Sequence, residues 1–351
     1  MLELRHRRAR LALTRPYAIA GGSWDSAEMV FVELRDNRGA RGWGQASPAE
    51  EVTGETAEAC ESALAALPRE WFDESELESR LNMLAHRPAV RAALDMALFD
   101  LRARRAGAAL IEQLGRRIQP LPTSVTIGLK GLDETLDEAR EHAARGFRAL
   151  KVKTGTDVEL DLERLAKLRE SFGARLALRV DANGGYDERA FRRFAECVEA
   201  LDLELVEQPT ARGDEDCWRA AHERVRERLI ADESVHERAE LEHWIAAGPP
   251  FGGVNIKLMK CGGVRPALEL ARTCERAGMS VMWGCMDESV LGIAAALHTA
   301  FASAATRFLD LDGSLDLADD PFGGGFALAA GVLDALPAPG LGAEPRAALF
   351  D

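Results

Sequence analysis

Three carboxylates recur at regular intervals in the second half of the chain, each closing a short β-rich run. Asp181 and Glu207 lie 26 residues apart, and Asp232 lies 25 residues further on. If the runs are neighbouring strands of one barrel, the three carboxylates stand at nearly the same height. Converging carboxylates repel one another without a cation, and hard oxygen ligands suit Mg²⁺, with Mn²⁺ as second choice. The spacing therefore predicts a divalent metal site.

Three lysines accompany these acids. Lys151 and Lys153 flank Val152 and share one face of their strand, and Lys257 lies 25 residues beyond Asp232. Buried lysines are costly unless they act chemically or pair with acids. Because the second and sixth strands of an eight-stranded ring stand opposite each other, Lys153 and Lys257 are expected to face each other across the axis. The metal would lie on the arc between them.

Two further acids close the last β-rich run. Asp310 and Asp312 share one face, opposite the fourth strand, which predicts a second, metal-free acidic patch for a cationic group of a substrate. A single strand-end Asp is usually a turn residue, and a single Lys-Val-Lys is usually a solvated strand end. Matching residue types at the ends of five successive strands make the joint pattern informative.

A barrel is the architecture that would bring these residues together. From about Leu121 onward the chain alternates β-rich runs with amphipathic stretches long enough for helical crossovers, such as Leu132–Ala144, Asp157–Ser171 and Val264–Ala277. The eight runs are Thr123–Gly128, Ala149–Lys153, Leu176–Ala182, Leu203–Gln208, Leu229–Glu233, Gly253–Leu258, Ser280–Gly284 and Arg307–Asp312. This pattern favours an α/β fold of the (β/α) barrel type. An open doubly wound sheet is the alternative, but no glycine-rich dinucleotide turn follows the first strand.

The region before the barrel has a different pattern. Ala27–Leu34 and Arg41–Gly44 predict a hairpin, and Val90–Leu114 has the helical spacing of a cap. Asp95 and Asp100 in that helix are expected to be surface or helix-packing residues. The expected division is an α+β capping domain over 1–118, the catalytic barrel over 119–318 and a segment returning to the cap over 319–351.

The tail contains one glycine cluster. Gly323, Gly324 and Gly325 are interpreted as a turn, because no Lys-Ser or Lys-Thr follows them as in a phosphate-binding loop.

Composition excludes several functional classes. The chain has 351 residues and a formal net charge of −14, which disfavours nucleic acid and anionic membrane surfaces as partners. Its apolar runs are too short to span a bilayer, and a cytoplasmic location is expected. The cysteines lack a Cys-x-x-Cys pair and are expected to be ordinary thiols.

The motifs resemble the enolase superfamily, specifically its muconate-lactonizing subgroup. The matching segments are Lys151-Val152-Lys153, Asp181-Ala182-Asn183, Glu207-Gln208-Pro209, Ala231-Asp232-Glu233-Ser234, and Asn255-Ile256-Lys257 followed by Gly262-Gly263. Within that subgroup, Asp310-Leu311-Asp312-Gly313 and Gly284-Cys285-Met286 are similar to the dipeptide epimerases, whose best-known members act on L-Ala-D/L-Glu.

The resemblance implies a TIM-type (β/α)₇β barrel with an N-terminal α+β cap completed by the C-terminal segment. It implies that Asp181, Glu207 and Asp232 bind Mg²⁺, that Lys153 and Lys257 are the acid and base, and that Lys151 supports Lys153. Asn183 and Glu233 would support the metal ligands. Asp310 and Asp312 would bind the dipeptide α-ammonium, with Thr126, Cys285 and Met286 also contacting substrate.

The implied reaction is consistent with elementary chemistry. A carbon acid beside a carboxylate is far weaker than a lysine ammonium of pKa about 10.4, so the enediolate must be stabilised, as a metal does in enolase-type sites. The base must be neutral, which crowding by Lys151 and a divalent cation would favour. One lysine removes the α-proton, the other returns a proton on the opposite face, and the configuration inverts.

Specificity in this family resides largely in two cap loops, here Ala18–Ser26 and Ala46–Thr56. They contain Trp24 and Asp25, and Glu50 and Glu51, but no arginine to bind an acidic side chain. We therefore expect apolar or cationic dipeptides to be preferred over Ala-Glu; alternatively, these acids are only solvated. Asp287 and Glu288 are interpreted as helix N-terminal residues.

Three other functions fit parts of the pattern. An o-succinylbenzoate synthase or N-acylamino acid racemase of this fold would share the metal and lysines without needing Asp310 and Asp312 for an ammonium group. An acid-sugar dehydratase usually has histidines at later strand ends, where this chain has none. A non-catalytic metal-binding barrel would not need the paired lysines. The expected partners are a small dipeptide and other copies of the chain in a homo-oligomer.

Overall fold

The computed structural model describes residues 1–19, 22–346 and 349–350. The described strands are β1 Glu3–Ile19, β2 Gly22–Arg35, β3 Arg41–Ala46, β4 Leu121–Pro122, β5 Ser124–Ile127, β6 Ala149–Lys153, β7 Ala177–Asp181, β8 Leu203–Glu207, β9 Leu229–Ala231, β10 Gly253–Ile256, β11 Ser280–Trp283, β12 Thr306–Leu309, β13 Phe322–Gly324, β14 Phe326–Ala329, β15 Val332–Ala335 and β16 Ala343–Pro345. The described helices are α1 Glu50–Thr53, α2 Ala57–Ala65, α3 Glu74–Arg80, α4 Pro88–Arg105, α5 Leu110–Leu114, α6 Leu132–Ala144, α7 Val158–Phe172, α8 Glu188–Ala195, α9 Glu223–Arg226, α10 Arg238–Ala247, α11 Leu258–Cys261, α12 Val264–Ala277 and α13 Val290–Phe301.

Strands β5 to β12 form one parallel sheet in which each strand pairs with the next along the chain. The first and last strands also meet: Thr123, directly before β5, bridges to Leu309 of β12, and the Ser124 hydroxyl donates a 3.3 Å hydrogen bond to the Leu309 carbonyl. Helical segments connect successive strands, and none follows β12 before β13 except a short 3₁₀ turn. The sheet is a nearly closed (β/α)₇β barrel, as predicted, and not an open doubly wound sheet.

The barrel strands β9 and β12 end earlier in the chain than the sequence predicted. β6 has the predicted bounds, whereas β9 ends at Ala231 and β12 ends at Leu309. Asp310 and Asp312 therefore lie in the segment that follows β12. There the Leu311 amide donates to the Thr123 hydroxyl at 2.9 Å instead of extending the β ladder.

The cap begins with an antiparallel sheet of β1, β2 and β3, on which α4 packs. Glycine at position 44 is required for this contact, because a Cβ there would lie 1.9 Å from the Ala93 carbonyl oxygen. The predicted hairpin is present, with longer strands than predicted. The predicted helix Val90–Leu114 is divided into α4 and α5.

Asp95 and Asp100 on α4 are buried and pack the helix. The Asp100 carboxylate accepts from the backbone amides of Trp43 and Leu341, at 2.9 and 2.7 Å, and so joins α4 to β3 and to the C-terminal segment. The sequence predicted that these acids lie at the surface or pack the helix. The packing role is confirmed, and the surface location is wrong.

The C-terminal segment returns to the cap. The Phe322 ring lies 5.4 Å from the Phe31 ring and 6.1 Å from the Trp43 ring, measured between centroids. The turn predicted at Gly323–Gly325 is wrong for its first two residues, because they form β13 and pair with β16. Residues 347, 348 and 351 of this predicted segment lie outside the described residues. In the part of the chain that is described, no helix is long and apolar enough to span a membrane.

Candidate active site at the carboxyl ends of the barrel strands

The register of the barrel sets three of the predicted residues side by side. Lys153 pairs with Asp181 across β6 and β7, and Asp181 pairs with Glu207 across β7 and β8. Asp232 directly follows β9 and lies two residues beyond Ile230, which pairs with Glu207. Lys257 follows β10, four strands from β6 in a nearly closed ring of eight. All five side chains are buried.

Each lysine contacts a carboxylate. Lys153 Nζ is 2.6 Å from Asp181 Oδ2, and Lys257 Nζ is 2.7 Å from Asp232 Oδ2. Lys151 Nζ lies 3.5 Å from Asp181 Oδ2 and 3.4 Å from Glu207 Oε2. Lys153 Nζ also donates to Asn183 Oδ1 at 2.8 Å. The predicted acids and amines therefore form one ion-pair network.

The carboxylates influence one another strongly. Burial raises the pKa of Glu207 to about 8, and the neighbouring charges of Asp181 and Asp232 add to the effect. Burial also opposes ionisation of Asp181 and Asp232, but the lysines outweigh it, so the pKa of Asp181 is lowered and that of Asp232 is well below its ordinary value. The three acids together hold more negative charge than they can accommodate without cations.

The neighbouring carboxylates dominate the pKa of Lys257. Burial and Lys151 disfavour its ammonium form, as expected, but the carboxylates of Asp232 and Glu207 outweigh them and raise the pKa of Lys257. A neutral Lys257 thus requires that the charge of these carboxylates be neutralised by something other than Lys257.

The donor set fits a hard divalent cation in kind. Asp181, Glu207 and Asp232 are buried carboxylates on three consecutive strands, and Mg²⁺ prefers such oxygen ligands. Within the described residues, no three Asp, Glu, His or Cys side chains are already grouped as ligands of one ion. Their oxygens instead contact lysines, which a cation would have to displace.

Asp310 and Asp312 do not form the separate acidic patch that the sequence predicted. The Asp310 carboxylate pairs with Lys151 and accepts from the Ser124 hydroxyl at 2.6 Å, so Lys151 joins it to Glu207 and Asp181. Asp312 accepts from the Thr126 amide at 2.7 Å. Burial and Asp310 raise the pKa of Asp312 to about 6. Lys151 therefore links Asp310 to the proposed metal ligands Asp181 and Glu207 in one network.

Lys151, Lys153 and Lys257 line a cavity of about 620 Å³ between the barrel and the cap, whereas Asp181, Glu207 and Asp232 are not part of its lining. Most of the predicted substrate-binding residues line it, namely Trp24, Glu50, Glu51, Thr126, Cys285, Met286, Asp310 and Asp312. Asn183 and Glu233 line it too, and Asn183 Nδ2 donates to Glu233 Oε1 at 3.3 Å. Asp25 is the exception: its carboxylate contacts Ser26 and Arg10 and is not part of the lining. In the predicted loop Ala18–Ser26, Ala20 and Gly21 lie outside the described residues.

Several lining acids were missed by the sequence analysis. Glu28, Glu55, Asp287 and Asp316 also face the cavity. The interpretation of Asp287 and Glu288 as helix N-terminal residues was wrong, since α13 begins at Val290 with Ser289 as its N-cap. Burial raises the pKa of Asp316 to about 7, with Asp312 and Asp287 contributing. The position of Asp287 directly after Cys285-Met286 was an available signal.

Lys260 and Asn255 were also missed as site residues. Lys260 Nζ is 2.5 Å from Asp232 Oδ1, and Asn255 Nδ2 donates to Glu207 Oε1 at 2.6 Å. Both contact the predicted metal ligands, and neither is part of the cavity lining. Lys260 lies three residues after Lys257, one helical turn along, and that spacing was the available signal.

The fold and this constellation define an enzyme family. Residues 1–115 match the family described as Mandelate racemase / muconate lactonizing enzyme, N-terminal domain, and residues 134–349 match the family described as Enolase C-terminal domain-like. The chain belongs to the mandelate racemase and muconate lactonizing enzyme family of the enolase superfamily, as its motifs indicated.

Similar proteins are epimerases by name. The L-Lys-D/L-Arg epimerase of Methylococcus capsulatus is 49% identical over 97% of this chain and 98% of that protein. The L-Ala-D/L-Glu epimerase of Bacillus subtilis is 32% identical over 95% and 94%. A crystal structure of a Methylococcus capsulatus dipeptide epimerase complexed with Mg and L-Arg-D-Lys superposes with a TM-score of 0.92, at 47% identity and 97% and 98% coverage. The chain is thus an isomerase related to dipeptide epimerases.

Proposed function

We propose that this protein is a Mg²⁺-dependent dipeptide epimerase that prefers cationic dipeptides and inverts the α-carbon next to the C-terminal carboxylate. The observation that carries the proposal is the pair Lys153 and Lys257. They are four strands apart in the ring and both line the cavity, and the three buried carboxylates lie at the ends of the three strands between them.

Each residue has one task in this proposal. Asp181, Glu207 and Asp232 hold the ion, which when bound lowers the free energy of the negative charge that develops on the substrate carboxylate. Lys153 removes or returns the α-proton at one face, and Lys257 does so at the other. Asp310 and Asp312 bind the α-ammonium of the dipeptide, and Lys151 balances the charge of Asp310.

A cationic preference is supported by the charges of the cavity. Besides Glu233, Asp310 and Asp312, its lining includes six further acids, and no arginine is among its described residues. The six acids are Glu28, Glu50, Glu51, Glu55, Asp287 and Asp316. A dipeptide side chain of negative charge would be repelled, whereas lysine or arginine side chains would be attracted. The L-Lys-D/L-Arg epimerase relative at 49% identity supports the same choice.

The test uses matched dipeptides in D₂O with Mg²⁺. Lys-Arg, Leu-Tyr and Ala-Glu dipeptides are incubated separately with the protein, and deuterium at the C-terminal α-carbon is measured by mass spectrometry. We expect the fastest exchange with Lys-Arg and the slowest with Ala-Glu. Exchange with N-succinyl amino acids and with no free dipeptide would support the racemase alternative and overturn the proposal. Fastest exchange with Leu-Tyr would overturn only the cationic preference.

Two expectations about the protein as a whole remain predictions: that it acts in the cytoplasm and that it forms a homo-oligomer.

A further inference from the structure

Lys260 is the fourth lysine of the ion-pair network, and it does not line the cavity. Its Nζ lies 2.5 Å from Asp232 Oδ1, 2.6 Å from the Asp232 carbonyl oxygen and 2.9 Å from the Asn255 carbonyl oxygen. An ammonium group has three N–H donors, so these contacts use all of them. The side chain is buried and has no donor left for a substrate.

The contact of Lys260 with Asp232 belongs to a pattern shared by the three carboxylates. One oxygen of each carboxylate accepts a hydrogen bond from the backbone or from a side chain outside the cavity lining. Asp181 Oδ1 accepts from the backbone amide of Asn183 at 2.9 Å, Glu207 Oε1 accepts from Asn255 Nδ2, and Asp232 Oδ1 accepts from Lys260 Nζ. The other oxygen of each contacts a lysine that lines the cavity. Each carboxylate therefore has one oxygen held by the framework and one in contact with a cavity-lining lysine.

We propose that Lys260 is a positioning residue that restricts Asp232 to offering one oxygen to a bound cation, and thereby favours Mg²⁺ over Ca²⁺. The inference rests on the metal site of the proposed function. Mg²⁺ demands compact octahedral coordination, whereas the larger Ca²⁺ readily accepts both oxygens of one carboxylate. Releasing Oδ1 would let Asp232 bind through both oxygens, which suits Ca²⁺ better.

The experiment measures metal binding by substrate-free protein, using calorimetric titration with MgCl₂ and with CaCl₂. In Lys260→Met we expect the Kd for Mg²⁺ to rise about tenfold, as is usual when a partner of a metal ligand is lost, with a smaller change for Ca²⁺. The ratio of the two dissociation constants is the readout, because a purely structural role of Lys260 would weaken both metals together.

Arg104→Met is the matched control. Arg104 is a mostly buried cation of the cap that pairs with Asp100. When the guanidinium is removed, Asp100 still accepts from two backbone amides. In the same way, Asp232 still contacts Lys257 when Lys260 is replaced. This variant should lower the melting temperature and leave the Mg²⁺/Ca²⁺ ratio unchanged. A changed ratio in the control would show that loss of stability alone moves the readout, and would overturn the inference.

If Lys260→Met folds and its ratio of Mg²⁺ to Ca²⁺ dissociation constants equals that of the unaltered protein, the inference is overturned. If that variant does not fold, Lys260→Gln decides: it has two N–H donors and no charge, cannot serve all three acceptors, and should shift the ratio in the same direction. An unchanged ratio in this variant likewise overturns the inference. If the unaltered protein binds neither metal, the proposed function fails; if it selects Mg²⁺ and the variants do so equally, only the role of Lys260 fails.

Discussion

The lysines of this site differ in what surrounds them. Lys151, Lys153 and Lys257 line the cavity, whereas Lys260 does not. Lys153 and Lys257 each contact one carboxylate, Lys151 contacts three, and Lys260 contacts Asp232. Only an amine that reaches the cavity can exchange a proton with a substrate, which excludes Lys260. Lys151 differs from Lys153 and Lys257 in contacting three carboxylates, and this is the basis for proposing that Lys153 and Lys257 transfer protons while Lys151 balances charge.

Replacing Lys153 or Lys257 singly by Ala should reduce epimerisation of a Lys-Arg dipeptide by roughly 10²- to 10⁴-fold, the usual contribution of a general acid or base. Deuterium exchange should persist for the diastereomer whose α-proton faces the remaining lysine. Chiral chromatography with mass spectrometry measures both quantities. The exposed Lys167, which pairs with Glu170, provides the Lys167→Ala control. Full epimerase activity in either lysine variant would contradict the two-base scheme.

The acids of the cavity should contribute unequally to substrate choice. Glu50 and Glu51 are exposed, so Glu50→Gln or Glu51→Gln should lower kcat/KM for Lys-Arg only about two- to fivefold, as solvent-exposed ion pairs allow. Asp287 is less exposed, and Asp287→Asn should cost more. The kcat/KM for Leu-Tyr should change less in every case.

Glu58→Gln is the control for this series, because Glu58 is exposed on α2 and is not part of the cavity lining. Equal losses for Lys-Arg and Leu-Tyr in all three variants would show that these acids do not select charge.

At the scale of elements, the cap is held on the barrel by polar contacts within apolar packing. His298 of α13 is fully buried, and its Nδ1 accepts from the Ile111 amide of α5 at 3.0 Å. Burial lowers the pKa of His298 to about 4, so the ring is neutral in the folded protein at neutral pH. The contact requires this neutral form, since a protonated ring cannot accept.

His298 should therefore make stability depend on pH. With a pKa of about 4 in the folded state and about 6.5 unfolded, the unfolded chain binds more protons between these values, so this stabilisation is complete above about pH 6.5 and is lost as the pH falls to 4. The difference amounts to at most about 3 kcal/mol.

Urea unfolding of the protein and of His298→Gln at pH 7 and pH 4.5 measures the contribution of His298 to the free energy of unfolding. The free energy of unfolding should fall less in the variant than in the unaltered protein. His86→Gln, which changes an exposed ring, should follow the unaltered protein. A variant that loses as much stability on acidification as the unaltered protein would refute the role of His298.

At the scale of the whole molecule, the active site exists only where two parts of the chain meet. The cap supplies Trp24, Glu50 and Glu51 to the cavity, and the barrel supplies three lysines and the pair Asp310 and Asp312. The barrel concentrates negative charge in a chain whose formal net charge is already −14. Binding a divalent cation should therefore stabilise the entire fold.

Mg²⁺ at 100 times its Kd should raise the free energy of unfolding by about 2.7 kcal/mol, since only the folded state assembles the site. Differential scanning calorimetry should show a higher melting temperature with MgCl₂, which EDTA reverses. Asp181→Asn removes one carboxylate charge and should largely abolish the shift. An equal Mg²⁺-induced shift in that variant would place the ion elsewhere.

The sequence by itself determined the barrel and the identity of its strand-end groups. A strand has a period of two and its neighbour follows after about 25 residues, so the depth and facing of Lys153, Asp181, Glu207 and Asp232 follow from spacing alone. β1 was missed, because its arginine-rich and largely exposed sequence gives no clear alternation of apolar residues.

Only the tertiary structure decided which groups share a partner. Lys151 contacts both Asp310 and Glu207. Asp287 lines the cavity, whereas Asp25 contacts Arg10. Lys260 contacts Asp232 and is not part of the cavity lining. These contacts connect segments far apart in the chain or depend on how loops leave their strands. Spacing encodes the position of a residue along a strand, but not the direction that a side chain takes once the strand has ended.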